Sequence, residues 1–193
     1  SYTELNDPFE SNTTEINLTG YAGFSIEQNA DKEDRYIAEE KQKYHILSMS
    51  GTCRSPLMWA HYADNYQGAC LCFSSDKTFS SLKRVEYCTE RKVYNMISGS
   101  SNVTKLVRKS FGQKNSEWSY EHEWRMIERN DDKLPQKYIR FEQGELKGLI
   151  LGHRMPSEIH GYLKNVLPEE VKLLKTYIGH RTYKIQLLGL TFL

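Results

Sequence analysis

"SPLMWAHYADNYQGACLCF", residues 55–73, carries the strongest helix and strand signals in the chain. Ser55 is of a type that caps helices, and Pro56 suits a first turn, where its missing N–H would be unpaired in any case. Gly68 can take the left-handed conformation that closes a helix. The spacing predicts a helix from Pro56 to about Gln67, apolar over much of its circumference through Leu57, Met58, Trp59, Ala60, Tyr62, Ala63 and Tyr66, and therefore central. "ACLCF" then reads as a buried strand.

Before this stretch, "YHILSMS" (44–50) alternates as a strand does and is broken by "GTCR". "VEYCTERKVY" (85–94) predicts a strand with a turn or bulge, and "NMISGSSN" (95–102) a loop. "VTKLVRKSFGQKN" (103–115) predicts an amphipathic helix, with Val103, Leu106, Val107 and Phe111 inward and Lys105, Arg108, Lys109 and Lys114 on a basic, solvated face. Toward the C-terminus come a strand "KYIRFE" (137–142), an interior strand "LKGLILG" (146–152) and a short helix "PSEIHGYLKNVLP" (156–168) bounded by prolines. "VKLLKTYIG" (171–179) and "TYKIQLLGLTFL" (182–193) close as a strand pair. Strands outnumber helices without alternating regularly with them. This predicts an α+β fold with a mixed or antiparallel sheet, as one domain over residues 1–193, residues 11–43 forming a polar loop or helix appendage.

Hydrophobic residues at 38%, with 13 tyrosines, place the chain on the globular side of the disorder boundary. A net charge of +1 gives no global attraction to nucleic acid or an anionic membrane. Cys53, Cys70, Cys72 and Cys88 form no C-x-x-C pair and have no histidine at zinc-ligand spacing, which argues against zinc and for reduced thiols in a cytoplasmic protein. No apolar run approaches 18 residues, so no membrane partner is expected. Ser1 in place of Met reads as a start downstream of the natural one.

Candidate chemistry concentrates in "SEWSYEHEWRMIERN" (116–130). Read as a strand, "YEHEWRMI" sends Glu121, Glu123 and Arg125 to one face and Tyr120, His122, Trp124 and Met126 to the other, the second face marking the core. Two acids at i and i+2 stand about 6 to 7 Å apart, and such a pair can divide its duties between holding a hydroxyl and activating a nucleophile or stabilising a cation. Arg125 would keep one of them ionised. Trp118 lies in the loop leading in. On the first helix, His61 has Asp64 and Asn65 at i+3 and i+4, able to set its tautomer, with Tyr62 beside it. The turn "LNDPFE" offers Asn6 and Asp7, and "SMS" places Ser48 and Ser50 on one strand face.

Together, "LNDPFE", "LMWAHYADNYQGACLCF", "WSYEHEWRMI" and "LKGLILG", in that order, resemble a bacterial family known as domain of unknown function 2971. The order of a polar strand with "SMS", a helix, and a loop leading into E-x-E also resembles the ADP-ribosyltransferase plan. That resemblance implies NAD as substrate, with Glu123 as catalytic acid steadying an oxocarbenium-like transition state and Glu121 activating the acceptor. It further implies Ser48 or Ser50 in the nicotinamide pocket and Trp118 on a substrate-recognition loop.

The expected function is therefore an ADP-ribosyltransferase or NAD glycohydrolase, of the kind used as a bacterial toxin or in phage defence, with a protein or nucleic acid as acceptor. A metal-dependent nuclease or nucleic-acid binder would instead draw on Glu121, Glu123, Asp7 and Glu10 with the basic helix. A third expectation is a non-catalytic domain sensing a small nucleotide-like ligand between the His61 helix and the Glu123 strand.

Overall fold

In the computed structural model the described residues are 16–19, 35, 37–90, 92, 94–97, 103–129, 138–179, 181 and 183–189. In chain order the elements are β1 (Ile16–Thr19), α1 (residues 37–42), β2 (Tyr44–Ser50), α2 (Pro56–Tyr62), β3 (Ala69–Phe73), β4 (Lys83–Arg84), β5 (Glu86–Cys88) and β6 (Tyr94–Ile97). There follow α3 (Val103–Ser110), β7 (Gln113–Asn115), a 3-10 helix (Ser116–Glu121), β8 (Glu123–Arg129), β9 (Leu146–Leu151), α4 (Ser157–Val166), β10 (Lys172–Ile178) and β11 (Ile185–Gly189). The fold is α+β, with parallel and antiparallel pairings. The chain divides into two compact units: residues 1–49, 82–119 and 123–139, and residues 50–81, 120–122 and 140–193.

In the first unit β8 lies between β2 and β4, with β4 antiparallel to β8 in the register Lys83↔Arg125. Two small parallel pairs, β1 with β6 and β5 with β7, complete its strands. Val103, Val107 and Phe111 fall on one side of α3 and its exit because three- and four-residue spacing stacks them. They bury themselves against Ile37 and Tyr44, and the Tyr44 hydroxyl donates to the Thr104 carbonyl (3.1 Å). The segment expected as a solvated appendage thus contributes to the core through Ile37. It also buries Glu40, whose Oε2 takes Lys43 (2.8 Å) and Arg129 (3.4 Å), while its Oε1 has no partner among the described residues.

The second unit has a four-stranded sheet in the order β11-β10-β9-β3. The apolar run of β9 suits an interior strand, since both of its faces are covered. Ile150 packs with Trp59 and Ala63 at α2, while Leu149 and Leu151 pack with Leu173 and with Leu163 of α4. β9 and β10 run parallel through the α4 crossover, and β10 and β11 form an antiparallel pair.

Several elements depart from expectation. β3 is a strand but an edge one, leaving Leu71 56% exposed. Residues 138–142 form no strand; Phe141 instead packs edge-on against Phe73 at 4.9 Å. Asn95–Ile97, expected in a loop, belong to β6. α3 stops at Ser110, and Lys114, expected on its solvated face, is buried in β7.

The helix expected to reach Gln67 stops at Tyr62, because Asp64, Asn65 and Tyr66 take positive φ angles of 43°, 49° and 69°. Ser55 occupies the N-cap position without making a cap bond through its side chain. Left-handed backbone costs a non-glycine residue roughly 1–2 kcal/mol, and the turn compensates with hydrogen bonds. Tyr66 N–H donates to the Trp59 carbonyl (3.1 Å), Gly68 N–H to that of Ala63 (2.8 Å), and the Tyr66 carbonyl accepts Arg154 N–H (3.2 Å). Gly68 is needed for close approach, since a Cβ there would lie 3.0 Å from the Ala63 carbonyl.

Candidate functional site

The 3-10 helix begins where the Asn115 side-chain oxygen accepts Glu117 N–H (3.0 Å), a side-chain turn that short polar residues favour. It ends at Glu121, and His122, with φ of 48°, breaks the backbone before β8 starts at Glu123. Glu121 and Glu123 are therefore not two positions of one strand. The faces of β8 depart from expectation in part: Met126 is buried as expected, but Glu123 and Arg125 are buried too and Trp124 is 39% exposed. Burial of the charged pair is tolerated because its members satisfy one another.

In the first unit, Arg125 Nε–H donates to Glu123 Oε1 (2.7 Å) and Nη2–H to Oε2 (3.0 Å). Lys114 donates to the same Oε2 (3.3 Å) and stands 4.8 Å over the Trp118 ring, so Trp118 belongs to the same cluster. The other arm of Arg125 donates to the Phe111 carbonyl (2.8 Å), and Glu123 N–H donates to the Tyr87 hydroxyl (2.8 Å). Ser48, on the neighbouring strand β2, helps to hold the Glu123 carboxyl down. Burial pushes that carboxyl up, but Arg125 outweighs it through hydrogen bonds and charge, with Ser48 and Lys114 adding. Glu123 is held below its ordinary value as an ionised group.

In the second unit, the Tyr62 hydroxyl donates to Glu121 Oε1 (2.6 Å) and the Ser50 hydroxyl to the Glu121 carbonyl (2.6 Å). The Gly51 N–H donates to the His122 carbonyl (2.8 Å), which fixes the backbone after Glu121. His61 is exposed on α2, its ring 6.4 Å from those of Tyr62 and Tyr120. Asp64 and Asn65 do not orient it at helical spacing, because the helix ends before them. Glu121, Ser50, Tyr62 and His61 thus fall in one unit, and Glu123, Arg125, Ser48 and Trp118 in the other. Asn6 and Asp7 lie outside the described residues.

The sequence reading missed Lys114 and Tyr87. Lys114 was hidden in an apparent basic helix, although the glycine at 112 in "FGQKN" marked a possible break. Tyr87 alternates with Glu86 and Cys88 in a short strand, a signal too common to single it out.

Residues 58–126 match the model of a family described as a protein of unknown function (DUF2971). The matched stretch runs from α2 into β8 and takes in both acids of the E-x-E. No curated protein and no solved structure matches the chain. Among the described residues, no helix is long and apolar enough to cross a membrane, and no three His, Cys, Asp or Glu side chains are grouped to hold a metal ion.

Proposed function

We propose that the first unit binds NAD and cleaves its nicotinamide–ribose bond, as an ADP-ribosyltransferase or NAD glycohydrolase. The observation that carries this reading is the place of Glu123, gripped by Arg125, on the strand next to the one that bears Ser48, the pairing of serine-bearing strand and glutamate that the sequence resemblance implies. In the reaction, the bond between ribose C1′ and the nicotinamide nitrogen breaks and its electron pair leaves with nicotinamide. Water or an acceptor nucleophile then adds to C1′ and gives up a proton.

The positive charge developing on the ribose is what an ionised carboxylate stabilises. Arg125 and Lys114 keep Glu123 in that form, and a carboxylate with about four lone-pair sites retains acceptor capacity beside them. Arg125 and Ser48 are positioning residues here. Trp118 offers a ring face beside the cluster on which a planar group could stack.

A second reading, a non-catalytic nucleotide-sensing domain, is favoured by the engagement of both Glu123 oxygens by buried cations. One experiment separates the two: incubation with NAD, following nicotinamide release, with circular dichroism confirming the fold of each variant. Release by the wild type is expected, reduced about tenfold in Ser48→Ala, a loss of about 1.4 kcal/mol of transition-state stabilisation, and absent in Glu123→Gln. A folded wild type that releases no nicotinamide overturns the catalytic reading, and a thermal shift with NAD would then support the sensor.

A further inference from the structure

The second unit contains a cavity of about 390 Å³ at the connection between β10 and β11, within the size range of small-molecule sites. Its apolar lining comes from Pro56, Ile178 and the buried Ile185. Its polar lining is of one sign: Arg181 and Lys184 contribute cations, and no acid is among the described residues that line it. Arg54 adds a third cation nearby, its guanidinium donating to the Ile185 carbonyl (3.3 Å).

Two aromatic rings complete the lining. Tyr66 is held by its own hydroxyl, which donates to the Pro56 carbonyl (3.0 Å), so its ring is fixed in place. Tyr183 is fully exposed, so both faces of its ring are open to a ligand. Neither Arg181, Lys184 nor Tyr183 has a hydrogen-bond or ion-pair partner among the described residues. The Gln186 amide lies against Gly179 of the lining: a Cβ on Gly179 would sit 3.0 Å from Gln186 Nε2, so the glycine leaves that amide room.

We infer that this cavity is a binding site for a mononucleotide-type ligand, a phosphate monoester attached to a planar base. Arg181 and Lys184 are placed for the phosphate, which arginine and lysine bind through charge-assisted hydrogen bonds. Tyr183 offers ring faces for the base, while Tyr66, packed against His153 at 4.8 Å, walls the cavity, and stacking of bases on aromatic side chains is a recurrent source of nucleotide affinity. The Gln186 amide supplies a donor and an acceptor for the base edge. The site lies within the second unit and is independent of the NAD-cleavage reading, which rests on residues of the first.

The test is calorimetric titration of the full chain with AMP, at low and high salt, beside adenosine and inorganic phosphate as its two halves. AMP is expected to bind, more weakly as salt rises, and both halves to bind far more weakly. Arg181→Ala combined with Lys184→Ala should weaken AMP about tenfold or more, and Tyr183→Ala about fivefold or more. All three side chains are exposed, so these variants keep the fold. No AMP binding by folded protein, or binding indifferent to the cation pair, overturns the proposal. Phosphate binding as tightly as AMP, or an oligonucleotide binding where AMP does not, overturns it equally.

Discussion

Arg125 grips both carboxylate oxygens of Glu123, at 2.7 and 3.0 Å, from two positions further along the same buried face of β8. A pair so placed has each member's desolvation balanced by the other, so removing one is costlier than the pair's net contribution suggests. Glu123→Ala should therefore destabilise the protein by about 3–5 kcal/mol, read from the urea midpoint, by stranding Arg125 and Lys114.

The same pair predicts a pH dependence. Glu123 in the folded state lies below its ordinary value of 4.5, so its contribution to stability is complete above that pH and is lost as pH falls through the lower folded value. Unfolding free energies measured across this acid range should decline less steeply in Glu123→Gln than in the wild type. Equal slopes would mean the carboxylate is not held ionised.

Gly152 accepts no side chain: a Cβ there would fall 1.9 Å from the Tyr66 carbonyl oxygen, a backbone atom that is itself bonded to Arg154 N–H. Gly152→Ala should lower the melting temperature by an amount corresponding to about 3 kcal/mol, the upper end of ordinary overpacking. An unchanged melting temperature would show that the turn at Tyr66 and the end of β9 yield easily.

The left-handed run makes a graded prediction at Asn65, whose φ is 49°. Asn65→Gly should be within about 0.5 kcal/mol of the wild type, because both residues accept that conformation. Asn65→Val should cost about 1–2 kcal/mol, since a β-branched side chain clashes there. Urea denaturation of the two variants side by side provides the comparison.

Cys70 and Cys72 share one side of β3 and interact with each other. The Cys70 thiol stabilises its neighbour's thiolate by hydrogen bonding, which brings Cys72 down to about 7, while that partnership together with burial pushes Cys70 well up. Iodoacetamide alkylation should show a fast thiol whose rate rises with pH around that value. Cys72→Ser should abolish that phase and Cys70→Ala, which removes the donor, should move it upward, toward the ordinary value for a thiol.

The legible parts of the fold were those in which one local signal dominated. Prolines bracket α4, three- and four-residue spacing marks α3, and β9 is apolar without interruption. Period-two alternation grouped Glu123 with Arg125 correctly but assigned them to the wrong side, because it says which side chains share a face and not which face is covered. A buried charged pair looks like a solvated one until the cation from another strand, Lys114, is in place. Likewise the exposure of Leu71 follows from the edge position of β3, which only the pairing order reveals. Of the candidate site, the sequence identified Glu123, Arg125, Ser48 and Trp118, while the break at His122 that removes Glu121 from their strand is a backbone event with no distinctive residue type.

The sequence interleaving of the two units bears on how such a protein can be inherited and dissected. Neither unit is a contiguous gene segment, and the family match at 58–126 passes from the second unit to the first at residue 82, back at 120 and across again at 123. Recombination at any single point within that match would divide residues of a unit between two parents. Terminal deletion would therefore not isolate either unit intact.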